Sequence, residues 1–179
     1  MHVHDEREIR KYTGLMIEVE IRGRLTKKSR DTLHSFLRKK GAFLESHYRE
    51  QILLRGYPGY HTDPTKRTVD IRLRDTDGEC EIMVKRMMSA HNAGREEISL
   101  PLRDTNLEQA KRVLKTLGFS EGLLMRRKKE VYRYKGVEWS IVDAGKSIYF
   151  FEAEKRVAHK KDIEQVRQKI LMEKESSDV

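Results

Sequence analysis

Acidic and basic residues recur at alternate positions in several short segments of this chain. Near the start, Glu18, Glu20 and Arg22 take every second place of IEVEIR, and near the end Glu152 and Glu154 do so in FFEAE. Between them, Arg72 and Arg74 in TVDIRLR, Lys85 in ECEIMVKR, Arg95 in REEISLPL and the run Arg126, Arg127, Lys128, Lys129 supply cations. Glutamate oxygens are hard donors suited to Mg²⁺ or Mn²⁺. Guanidinium and ammonium groups hold phosphate oxygens, the first bidentately and the second as a point charge. Brought into one place, the two sets would bind a divalent cation and a phosphate chain together, which is the chemistry of a metal-triphosphate site.

Only the intervening elements can bring them together. Residues 15–25 alternate strictly, with Ile17, Val19 and Ile21 on one face and Glu18, Glu20, Arg22 and Arg24 on the other, so the spacing predicts a strand. Thr26 caps a predicted helix over 27–40, striped by Leu33, Phe36 and Leu37 and stopped at Gly41. Extended segments follow at 43–55, 68–74, 79–88 and 95–102, with a hairpin turn at Asp77-Gly78 and loops at HTDPTK and SAHNAG. Residues 105–117 predict a second helix, with Leu107, Ala110, Val113, Leu114 and Leu117 at helical spacing and Gly118 closing it. Strands at 122–134, 137–143 and 147–156 and a lysine-rich helix at 159–174 complete the order. The expected class is α+β, with about eight strands, mostly joined as hairpins, and three helices.

An open antiparallel sheet would turn its charged faces to water. Eight strands in 179 residues favour curling or closure instead. The apolar faces would then pack outward under the helices and the charges would line a lumen, where they must be paired, hydrated or bound to ions.

Composition sets the remaining bounds. With 38 Lys and Arg against 29 Asp and Glu, the net charge of +9 points to an anionic partner. No basic-aromatic nucleic-acid signature accompanies it, which disfavours nucleic acid. No stretch approaches the ~20 apolar residues of a membrane span, and the polar start is no signal peptide. The single cysteine, Cys80, excludes an intramolecular disulfide or a multi-cysteine zinc site, and its place beside Ile82 and Val84 predicts a buried, inert thiol. The expected setting is soluble and cytoplasmic. Residues 1–12, with the pair His2 and His4, are expected to be a polar lead-in to one domain over 13–175.

The order of these motifs resembles the CYTH superfamily, the triphosphate tunnel metalloenzymes that include class IV adenylyl cyclases, thiamine triphosphatases and inorganic tripolyphosphatases. The matching elements are Glu18-x-Glu20-x-Arg22, Arg72-x-Arg74, Lys85, Arg95-x-Glu97, the basic strand RRKKEVY, the aspartate that ends VEWSIVD, and Glu152-x-Glu154. The resemblance covers about residues 15–156. It implies an eight-stranded antiparallel barrel, open as a tunnel, acting with Mg²⁺ or Mn²⁺ on tripolyphosphate, thiamine triphosphate or ATP. By position, Glu18, Glu20, Asp143, Glu152 and Glu154 correspond to the metal-binding set, with Glu18, Glu20 and Glu154 catalytic. Arg22, Arg72, Arg74, Lys85, Arg95, Arg127 and Lys129 correspond to the phosphate-binding set. Period-two parity and the position of Tyr132 favour Arg127 and Lys129 over Arg126 and Lys128. A homodimer is compatible with the family, though no interface is legible.

Four departures bear on substrate more than on fold. Arg22 stands where lysine is usual, Ser99 where a second glutamate often continues the middle motif, and Ile148 where a glycine commonly precedes the last strand. The segment after the first helix reads EQILLRG in place of a tyrosine-aspartate pattern. The leading expectation is a metal-dependent triphosphatase. The alternatives are an adenylyl cyclase that makes cyclic AMP and pyrophosphate, and a non-catalytic binder of polyphosphate or RNA.

Overall fold

The computed structural model describes residues 17–63, 66–87 and 94–175. The lead-in with His2 and His4, the start of the first strand at residues 15–16 and most of the SAHNAG loop lie outside them. The elements run β1 (Ile17–Leu25), α1 (Lys27–Lys40), β2 (Ala42–Arg55), β3 (Val69–Thr76), β4 (Glu79–Met87), β5 (Gly94–Leu102), α2 (Leu107–Thr116), β6 (Ser120–Tyr134), β7 (Val137–Asp143) and β8 (Tyr149–Val157). A short 3₁₀ turn, Lys160–Asp162, leads into α3 (Ile163–Glu175). No helix of the described residues is long and apolar enough to cross a membrane.

All eight strands pair antiparallel and close a barrel in the order β1-β5-β4-β3-β2-β6-β7-β8. The tight turns follow from residues that tolerate the left-handed region. Asp77 (φ 51°) and Gly78 (φ 94°) join β3 to β4, and Lys135 (φ 49°) and Gly136 (φ 73°) join β6 to β7. Thr26 caps α1 reciprocally with Ser29, and Asn106 caps α2 with Gln109.

The apolar cores sit outside the barrel wall. The larger packs Leu33 and Leu37 of α1 and Ile163 and Ile170 of α3 with Ile17, Val19, Trp139, Phe151 and Ala153, from the outer faces of β1, β7 and β8. The smaller packs Ala110 and Leu114 of α2 with Ile52, Leu54 and Leu73. Helices therefore cover the apolar faces from outside, and the alternate, charged positions point into the lumen. Cys80 is buried, as its apolar neighbours predict.

The stripe expected on α2 is narrower than its sequence suggests. Val113 (60% exposed) and Leu117 (68%) face solvent, because one short helix laid on β3 turns Ala110 and Leu114, with Leu107 half-buried beside them, to the wall. Leu33 has no solvent exposure. Leu33→Ala is expected to cost about 2–5 kcal/mol in urea unfolding, the lost burial plus a cavity. A loss under ~1 kcal/mol would show that α1 is not part of the cooperative core.

Candidate active site

Among the described residues, eighteen line the lumen, of which seven are glutamates and nine are Lys or Arg, with Val131 the single apolar one. Its cavity is about 170 Å³. That leaves room for on the order of ten waters, so the lining charges are hydrated as well as paired.

The register of β1 against β8 sets the acidic wall. Glu20 stands opposite Glu154, Arg22 opposite Glu152 and Glu18 opposite Arg156. The last strand thus repeats the first, Glu152-x-Glu154-x-Arg156 running antiparallel to Glu18-x-Glu20-x-Arg22.

Two buried lysines hold this wall. Lys85 Nζ lies 2.7 Å from Glu18 Oε1, 2.5 Å from Glu97 Oε1 and 4.0 Å from Glu20 Oε2. Lys129 Nζ lies 3.1 Å from Glu152 Oε2 and 3.9 Å from Glu154 Oε2. Arg127 adds contacts to Glu152 (3.3 Å) and to Gln51 Oε1 (3.2 Å).

The electrostatics separate these carboxylates into two kinds. Burial pushes Glu18 up to about 8, and neighbouring Glu97, Glu154 and Glu20 oppose the relief that Lys85 gives. Burial also raises Glu154, with Glu152 and Glu20 adding to it against Lys129. Glu97 feels the same burial, yet Lys85 and a hydrogen bond with Glu18 hold it well below the usual range. Two carboxyls against one ammonium ionise singly at least cost, Glu97 as the anion and Glu18 as the acid. Glu152, despite its burial, is held at about 2 by Lys129, Arg127 and Arg22.

The opposite wall is a crowd of cations. Burial lowers Arg49 to about 10, and Arg74 and Arg127 add repulsion. Arg127 is lowered by burial and by Arg74, Arg72 and Arg22, with Glu152 opposing. The Nε atoms of Arg72, Arg74 and Arg127 are buried without a hydrogen-bond partner among the described residues. The lumen thus holds two crowded groups, Glu18, Glu20, Glu97 and Glu154 around Lys85 and Lys129, and Arg49, Arg72, Arg74 and Arg127 facing Glu152, with Arg22, Arg95 and Arg156 interleaved among the glutamates.

The residues named from sequence fall as follows. Glu18, Glu20, Glu152, Glu154, Arg22, Arg72, Arg74, Lys85, Arg95, Arg127 and Lys129 all line the cavity. Arg126 and Lys128 point outward with side chains 60% and 63% exposed, Arg126 bound to Glu50, as the period-two parity favoured. Asp143 does not join them. Its odd position puts it on the face of Trp139 and Ile141, and Oδ1 accepts a hydrogen bond from Gly145 N at 2.8 Å, so it is a turn aspartate. Glu97, quoted from sequence in the Arg95-x-Glu97 motif without a role, also lines the cavity, and lining residues not singled out beforehand are Glu45, His47 and Arg49 of β2, Glu138 and Arg156. Their signal was present, because Glu45, His47, Arg49 and Gln51 alternate along β2 as Glu18 and Glu20 do along β1.

Among the described residues, no three acidic, His or Cys groups converge as a ready-made metal cage. The glutamates are instead turned to Lys85 and Lys129. The donor set still fits a hard divalent ion: it is all carboxylate oxygen, and burial, with neighbouring carboxylates adding to it, raises Glu18 and Glu154 beyond what Lys85 and Lys129 relieve.

The CYTH domain model matches residues 16–179. The chain belongs to the CYTH domain family. A curated relative from Methanocaldococcus jannaschii, named "Putative adenylate cyclase", is 29% identical over 158 residues, spanning 87% of this chain and 86% of its own. Among solved structures, the PH1819 protein of Pyrococcus horikoshii matches with a TM-score of 0.74 at 23% identity, covering 90% of each chain. A Hippeastrum protein named "Putative adenylyl cyclase HpAC1", described as having a dominant triphosphatase activity, matches with a TM-score of 0.56 at 15% identity, covering 89% of this chain and 88% of its own. At these identities the two structures speak to the fold alone, which each shares over about nine-tenths of this chain.

Proposed function

We propose that this CYTH protein is a divalent-metal-dependent triphosphatase that cleaves an inorganic or organic triphosphate inside its tunnel. One observation carries the reading: buried glutamates crowd on one side of the lumen and buried guanidinium groups on another, and burial first, then like-charge neighbours, make the charged form of Glu18 and Glu154 and of Arg49 and Arg127 costly. A polyanion laid against the second and a divalent cation against the first would relieve both.

Glu18, Glu20 and Glu154 would hold Mg²⁺ or Mn²⁺, with Glu152 beside them bound to Lys129 and Arg127. The cation would offset charge on the phosphate oxygens as the transition state forms. Arg22, Arg72, Arg74, Arg95 and Arg127 would position the chain and stabilise the leaving phosphate by donors fixed in advance. Lys85 and Lys129 would shift from carboxylate to phosphate partners when the substrate enters. The Hippeastrum protein supports the reading by example, since a chain named for cyclase activity is described as chiefly a triphosphatase.

A second reading rests on the name of the Methanocaldococcus relative. In an adenylyl cyclase, the 3′-hydroxyl of ATP would attack the α-phosphorus and pyrophosphate would leave, with the same walls serving both phosphate and cation. Products separate the two. With tripolyphosphate, thiamine triphosphate and ATP, each supplied with Mg²⁺ or Mn²⁺, the expected result is orthophosphate release that a chelator stops. Cyclic AMP with pyrophosphate from ATP would establish the second reading instead, and no turnover of any of the three would end both.

A further inference from the structure

One lining group stands apart from the paired charges. His47 sits on β2 with its side chain 8% exposed, and its Nε2 is buried without a hydrogen-bond partner among the described residues. Its Nδ1 lies 3.4 Å from Glu45 Oε1. Lys129 is its cross-strand neighbour, Arg49 follows two places along β2, and Asp77 approaches from the β3–β4 turn, where its Oδ1 accepts a hydrogen bond from Tyr48 N.

A ring that keeps its proton on Nδ1, against the Glu45 carboxylate, presents a lone pair at Nε2. Burial, Arg49 and Lys129 hold the imidazole below its ordinary value, while Glu45 and Asp77 act against them. The ring is therefore neutral and able to accept a proton near pH 7. Of the other lumenal groups, Glu18, Glu20 and Glu154 are given to the cation under the proposed function, although burial raises Glu18 and Glu154. Glu97 and Glu152 are held too low by the ammonium groups beside them to be useful bases, and the lysines and arginines carry their protons already.

We propose that His47 is the general base of the phosphoryl transfer, its Nε2 taking the proton of the attacking water while Glu45 orients the ring. This deepens the triphosphatase reading and rests on it. In the step, the water oxygen bonds to the terminal phosphorus. The bond from that phosphorus to the bridging oxygen breaks, its electron pair leaving with the diphosphate. The water proton passes to Nε2 and is lost to solvent at the tunnel mouth, where Glu45 is 63% exposed.

The test measures kcat and KM for tripolyphosphate with saturating Mg²⁺ across pH 5–9, for the wild type, His47→Gln and Glu45→Gln. In the wild type, kcat/KM should fall on the acid side with an apparent pKa below the ordinary histidine value of about 6.5. His47→Gln should lower kcat about 10²-fold near neutrality, leave KM within about threefold, and abolish the acid limb. Glu45→Gln should lower kcat roughly tenfold and move the acid limb to lower pH, since it removes a charge that favours the protonated ring. Because Glu45 is exposed, that variant keeps the test decisive even if His47→Gln fails to fold. A raised KM with kcat and the acid limb intact would make His47 a binding residue and overturn the proposal, as would an unmoved limb in Glu45→Gln. Turnover by the wild type with no change in His47→Gln defeats this inference alone. A wild type that cleaves no triphosphate defeats the triphosphatase reading and the base with it.

Discussion

Glu18→Gln is expected to make the metal-free protein more stable at pH 8 and, in the same substitution, to remove turnover. Glu18 is buried in a group of carboxyls, and its folded pKa of about 8 lies far above the ordinary 4.5. A carboxyl whose pKa is raised by folding binds its proton more tightly in the folded state. Its contribution is complete below about pH 4.5 and is lost as pH rises towards 8, because the unfolded chain ionises freely and the folded one does not. Glutamine keeps the shape of the protonated side chain and never ionises, so the variant escapes this loss. It leaves Lys85 its 2.5 Å contact to Glu97.

With hydration of the lumen discounted, the gain should be on the order of 1–2 kcal/mol at pH 8, each kcal/mol corresponding to about 2–4 °C in a chain of this size. Melting curves at pH 5 and pH 8 without divalent ions check it, and the difference between variant and wild type should shrink at pH 5. Triphosphate turnover should fall by at least about 10²-fold, since an amide is a poor substitute for a carboxylate at a hard cation. A variant that melts below the wild type at pH 8 would show that Glu18 is stabilised by Lys85 more than it is strained by its neighbours.

The double variant Arg74→Gln/Arg127→Gln should lose the response to tripolyphosphate. Ligand binding to the folded state adds RT ln(1 + [L]/Kd), about 2.7 kcal/mol at a hundredfold excess over Kd, or roughly 5–10 °C for this chain. Arg74 and Arg127 repel one another and their buried Nε atoms have no hydrogen-bond partner among the described residues, so both would gain directly from a phosphate oxygen. Glu152 keeps Lys129 at 3.1 Å after the change. The ligand-free double variant should therefore melt within a few degrees of the wild type, while its tripolyphosphate shift nearly vanishes and its KM rises by about 10²-fold or more. An undiminished thermal shift would place the phosphate chain away from the guanidinium wall.

Both expectations arise from the same feature, buried like charges held near one another, which under the proposed function a cation and a phosphate chain would neutralise. The outward cores under α1, α2 and α3 hold the barrel closed while the lumen remains electrostatically unsatisfied.

Much of this was written into single strands. A pleat sends successive side chains to opposite faces, so Glu18, Glu20 and Arg22 had to share one face opposite Ile17, Val19 and Ile21, whatever the fold. The same parity separated Arg127 and Lys129 from Arg126 and Lys128. It would also have found His47, Arg49 and Arg156 had β2 and the end of β8 been read for their alternation alone, and, applied to β7, it would have separated Asp143, which shares the face of Trp139, from the metal-binding set that the resemblance put it in. What alternation does not contain is which strand lies beside which. The closure of β1 onto both β5 and β8, the meeting of Lys85 with Glu18 and Glu97, and the gathering of Arg49, Arg74 and Arg127 all join residues distant in the chain. Periodicity is a steric property of neighbouring residues and can be read locally. Pairing and charge crowding are properties of the closed barrel, decided by which faces the helices cover and by the register in which the last strand returns to the first.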